Sequence, residues 1–72
     1  MARGRHPHAY AMAGAQMVKL AILKQRAQKV QEHATTQYQR DAASFILGRP
    51  EYAATQPDIL ARLAEIERSL GL

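Results

Sequence analysis

Residues 15–47 read AQMVKLAILKQRAQKVQEHATTQYQRDAASFIL and decide the fold. The stretch contains neither glycine nor proline and is dense in Ala, Gln, Lys, Arg and Leu, all good helix formers. At about 100° per residue, Leu20, Leu23, Ala27, Val30, Ala34, Tyr38 and Phe45 fall on one side, an apolar seam. Lys19, Arg26, Lys29, His33, Gln37 and Arg40 gather on a separate basic stripe. The pattern predicts one long helix from about Ala9 to Leu47. Gly14 costs about 1 kcal/mol in mid-helix relative to Ala, so Ala15 is the alternative start.

Both ends of that stretch carry signals. Downstream, Leu47-Gly48-Arg49-Pro50 reads as a stop, with Gly48 in the left-handed position and Pro50 unable to continue the helix. A connector follows, and then Thr55-Gln-Pro-Asp58 reads as a second helix start, with Thr55 as cap and Asp58 at the capping-box position. Ile59, Leu63, Ile66 and Leu70 repeat at helical spacing, Asp58 and Arg62 form an i,i+4 pair, and Gly71 is a natural stop. A helix of that length is marginal alone, so its stripe is expected on the Ala27–Phe45 part of the long helix. Upstream, residues 1–8 (MARGRHPH) have no apolar periodicity and read as an extended basic arm.

The expected architecture is therefore all-α. It is a helical hairpin of one long and one short helix (residues 9–72) behind an extended basic N-terminal arm (residues 1–8). The hairpin would be held by Leu20, Leu23, Ala27, Val30, Tyr38, Phe45, Ile59, Leu63, Ile66 and Leu70. Met17, Val18 and Ile22 lie off that seam, and one short helix cannot cover them as well. They are read as packing residues for a partner protein or a second copy. A chain of 72 residues buries only about 60% of the surface its unfolded form exposes, and with no cysteine it has no disulfide to compensate.

Charge is split along the chain. Residues 1–31 hold six basic residues and no acid, a net +6, whereas 32–72 hold four arginines against six acids, a net −2. Such asymmetry suggests an anionic partner for the first half. Arg3, Arg5, Lys19, Arg26, Lys29 and Arg40 are the candidate contacts to phosphate, which would be non-specific. A helix–turn–helix reader is not expected, because the 48–56 connector is too long and the first helix too extended. No stretch approaches the roughly 20 apolar residues of a membrane span, and the start lacks the serine-rich character of a transit peptide.

Catalytic and metal chemistry find no footing in these residues. His6 and His8 flank Pro7, while His33 is remote; no cysteine joins them, and zinc takes about four ligands. Ser44 and Ser69 have no motif that would activate them, and there is no glycine-rich phosphate loop. No cofactor is expected. The reading favours a small non-enzymatic structural or adaptor subunit of a large assembly, with a virion accessory protein of a bacteriophage capsid or tail as the concrete form. The alternatives are a nucleic-acid-associated protein using the basic helix face, or an amphipathic helix on a membrane surface. A virion or the cytoplasm is the expected location.

Overall fold

The helix expected to run unbroken to Leu47 stops at residue 33. In a computed structural model, which describes residues 20–72, Ala34, Thr35 and Thr36 are non-helical. Helix α1 occupies residues 20–33 of the described part, and α2 runs Gln37–Gly48. A single turn, α3, spans Pro50–Ala53, and α4 runs Pro57–Leu70. Among the described residues the fold is all-α, but the one long helix of the expected hairpin is two helices.

The break has a local cause. Thr36 sits at φ −128°, ψ 157°, and its hydroxyl accepts from the Gln39 amide at 3.2 Å. The Gln39 side-chain oxygen Oε1 in turn accepts from the Thr36 amide at 3.2 Å and the Thr35 amide at 2.8 Å. This reciprocal capping box satisfies amides that open the new helix. Two adjacent β-branched threonines also weaken a continuous helix at this point. The Arg40 guanidinium reaches back to the Ala34 carbonyl at 3.5 Å, and His33 Nδ1 donates to the Lys29 carbonyl at 2.9 Å.

The later punctuation also differs from expectation in detail. Gly48 closes α2 as a helical residue, and the chain turns instead at Arg49, φ −140°, whose amide donates to the Phe45 and Ile46 carbonyls. Pro50 then opens α3, where its missing amide is harmless. Gln56, not Thr55, precedes α4; the Thr55 hydroxyl donates to the Tyr52 carbonyl at 2.8 Å. Gly71, at φ 74°, ends α4 in a Schellman motif, with the Leu72 amide on the Glu67 carbonyl at 2.9 Å.

All four elements surround one core. Leu23, Ala27 and Val30 enter it from α1, Ala43 and Ile46 from α2, Ala53 from α3, and Leu63 and Ile66 from α4. Ile59, Leu60 and Leu70 pack at its edge. No polar side chain is buried among the described residues. Three of the eight core residues are alanines, which removes bulk and lets the helix backbones approach closely. Tyr38 and Phe45, expected in the seam, are 58% and 42% exposed. The restart at Thr36 resets the phase of α2, so Ala43 and Ile46 take the inward positions instead.

That exchange is measurable. Ile46→Ala is expected to destabilise the fold by about 2–5 kcal/mol through lost burial and a residual cavity, whereas Tyr38→Ala stays within about 0.5 kcal/mol. Urea denaturation followed by circular dichroism reads both. Equal losses from the two variants would restore the unbroken seam.

Candidate interaction surface

One face of the molecule combines relief, apolar surface and charge. Between α2 and α4 lies a groove of about 250 Å³, lined by Ala42, Phe45, Ile46, Ile59, Arg62 and Leu63. A second, more open recess continues it past Arg62 along Thr36, Tyr38, Gln39, Glu65, Ile66 and Ser69. Ile46, Leu63 and Ile66 belong to the buried core, so their outer edges form the floor.

Phe45 lines the groove, with two further aromatic side chains near it. Phe45 meets Tyr52 edge to face, with ring centroids 6.2 Å apart and planes at 78°, the arrangement that the ring quadrupoles favour. Tyr52, on α3, is 52% exposed. Tyr38 lines the far recess. Tyr38, Phe45 and Tyr52 recur every seven residues, which is two helical turns; the intervening helix end at Gly48 leaves them on neighbouring elements. None of the three is in the buried core.

The residues singled out in the sequence are distributed differently. Leu23, Ala27, Val30, Leu63 and Ile66 are buried together, while Leu20, Ile59 and Leu70 are half-buried. Ile22 is 48% exposed on α1. Met17, Val18, Lys19, Arg3 and Arg5 lie outside the described residues, as do the 1–8 arm and the start of the first helix. Ala43, Ile46 and Ala53 were missed as core. The Thr36-Gln-Tyr-Gln39 capping-box signature, read as a helix start, would have found the first two.

The basic stripe is altered in character. The Arg26 guanidinium grips the Glu67 carboxylate with two parallel bonds, Nε to Oε2 at 2.9 Å and Nη2 to Oε1 at 2.6 Å. Among the described residues this is the one ion pair, so the expected Asp58–Arg62 pair is absent there. It ties α1 to α4 across 41 residues of sequence. Lys29 and Arg40 remain exposed. A second tie, Gln31 Nε2 to Ser44 Oγ at 2.7 Å, joins α1 to α2.

Hydrogen bonding to Arg26 holds the Glu67 carboxyl below the usual glutamate range, with burial opposing and the Coulomb attraction assisting. The same bond raises the Arg26 guanidinium from its ordinary value. Because the Glu67 value is depressed by folding, its contribution is present above the unfolded value, about 4.3. It is lost as pH falls through the folded value. Arg26 stays charged throughout that window.

Compared with known proteins, the chain matches no family model, no curated protein and no solved structure. Among the described residues no helix is long and apolar enough to cross a membrane.

Thermal melts from pH 7 down to about pH 3 are therefore expected to show an acid loss that Glu67→Gln reduces. The variant should start less stable at pH 7 and converge with the parent as pH falls through the folded Glu67 value. A constant gap between the two curves at every pH would show that the pair contributes nothing through ionisation.

Proposed function

We propose that this chain is a small non-enzymatic docking subunit of a larger protein assembly, engaged through the α2–α4 groove. The observation that carries the reading is the placement of its aromatic side chains. Phe45 lines the groove, Tyr38 lines the recess beyond Arg62, and Tyr52 stands exposed against Phe45, while the core is filled by Ala, Val, Leu and Ile. Aromatic residues and arginine are enriched at the centres of protein interfaces, where a few of them carry most of the binding energy. Arg62, exposed between the two recesses, supplies the polar group such a centre commonly includes. The exposed Ile22 on α1, with Met17 and Val18 beside it in sequence, is the basis for a second contact face. A bacteriophage capsid or tail is the concrete setting proposed, on this two-faced layout.

The charge split supports a second reading, contact with nucleic-acid phosphates. Its weak point is Arg26, whose guanidinium is already held by Glu67. The membrane-surface reading is weaker still, since Leu23, Ala27 and Val30 of α1 are buried in the core and not free to meet lipid.

The test is a triple variant, Tyr38→Ser with Phe45→Ser and Tyr52→Ser. Helicity and melting are expected to stay close to the parent, while co-purification of the tagged full chain with its native assembly falls at least about tenfold. Undiminished co-purification would remove the groove from the proposal. Duplex binding that drops steeply with salt, and whose slope flattens when Lys19, Arg26 and Lys29 become Gln, would put nucleic acid in its place.

A further inference from the structure

We propose that two copies of this chain form a dimer by exchanging α1, with the hinge at Ala34–Thr36 straightened so that α1 and α2 become one helix. The exchange rests on the hinge and on the α1 contacts, and its test does not depend on the docking proposed for the aromatic face.

The hinge is held by side chains, not by backbone chemistry. No glycine or proline lies between residues 15 and 47, and no described non-glycine residue has a positive φ. What separates α1 from α2 is the Thr36–Gln39 capping box and the two bonds that Thr35 gives the Gln39 side-chain Oε1. Straightening loses these bonds. In return, the carbonyls left unpaired at the end of α1 meet the amides left unpaired at the start of α2, as in any continuous helix. Short hinges of this kind invite exchange, because the closed and exchanged forms share every other contact.

Helical phase then fixes where each face points. In a straight helix, the Leu23–Ala27–Val30 stripe and the Ala43–Ile46 stripe lie about 160° apart. The break is what lets both face one core. Once the helix is straight, Ala43 and Ile46 can stay on their own α4 while the α1 stripe turns to the opposite side. It cannot fold back onto the same chain. The surface that fits it is the cleft α1 vacates in a second copy: Leu63, Ile66 and the Glu67 carboxylate, which accepts Arg26 in the closed form. Charge complementarity and the existing interface both name the second copy as occupant.

The exposed aromatics provide an independent observation. Leu20 and Tyr38 are eighteen residues apart, as are Ala27 and Phe45, which is five full turns of a straight helix. Straightening therefore places Tyr38 and Phe45, both exposed in the closed form, in line with the apolar stripe of α1. The stripe then continues past the hinge into α2.

Exchange can be tested by charge reversal in the full-length chain. Arg26→Glu and Glu67→Arg each place two like charges together in the closed form. After exchange between the two variants, both positions face a charge of opposite sign. Co-refolding them in equal amounts is expected to give a heterodimer of twice the chain mass by light scattering. Its melting temperature should exceed that of either variant refolded alone. Gln37→Pro provides the second arm. Proline suits the first position of α2, and Thr36 already has the extended backbone that precedes proline. A straight helix, however, would lose an amide and clash at that point. Adding Gln37→Pro to both variants should abolish the heterodimer, and in the parent chain it should weaken dimerisation at least about tenfold while leaving the monomer's helicity and melt intact. A co-refolded mixture that stays monomeric with no gain in melting temperature would overturn the proposal, as would a dimer that survives Gln37→Pro.

Discussion

The fold depends on the reciprocal capping between Thr36 and Gln39. In one continuous helix over residues 20–48, the Leu23–Ala27–Val30 stripe and the Ala43–Ile46 stripe would point in nearly opposite directions. The cap stops α1, resets the phase and turns Ala43 and Ile46 toward the side that Leu23, Ala27 and Val30 already face. An N-cap of this type contributes about 1 kcal/mol, which is small beside the burial it directs. Its importance lies in the geometry it selects. A single core forms because three residues leave the helical conformation.

Around that turn the core is thin, and its security comes from fit. Ala27, Ala43 and Ala53 are fully buried, which brings backbones close but provides little apolar area per residue. The larger contributions come from Ile46, Leu63 and Val30, one each from α2, α4 and α1. Polar ties then hold the helices in register. Arg26 fastens α1 to α4, and Gln31 fastens α1 to α2 through Ser44. The Arg26–Glu67 pair is partly exposed, with side-chain exposures of 38% and 19%. Solvent screening therefore limits its energetic weight, and its bidentate shape matters more for orientation than for stability.

How much of this could be read from sequence varies by element. Residues 57–70 were legible because Pro57, the Ile59–Leu63–Ile66–Leu70 repeat and Gly71 all agree at the local level. The inward face of α1 was legible for the same reason. The turn at 34–36 was hidden by composition: the stretch has no glycine or proline, and only the adjacent Thr35 and Thr36 and the Thr-x-x-Gln spacing speak against a continuous helix. That one reading carried Tyr38 and Phe45 into the expected core and left Ala43 and Ile46 out of it. Arg26 was placed on a solvent-facing basic stripe because nothing local marks a partner 41 residues away. The groove was not legible at all, since it forms only when α2 and α4 come together.

The distribution of side-chain size across α2 links the fold to its surface. On the inner side stand Ala43 and Ile46; on the outer side stand Tyr38 and Phe45, with Tyr52 against Phe45. A helix selected only to stabilise a small domain would place its largest apolar groups inward, where burying an aromatic ring contributes most. This helix puts Ile46 inward but leaves both of its aromatic rings, Tyr38 and Phe45, outside. Small residues inside let α1, α2 and α4 close around one core, and that close approach sets Tyr38, Phe45 and Arg62 on the two walls of a narrow groove. Bulk at position 43 would push α2 away from the core and splay the groove open. The compactness of the core and the shape of the outer face therefore follow from one choice of residues on α2. Part of the apolar surface that α2 carries therefore stays at the surface of the folded chain, on Tyr38 and Phe45.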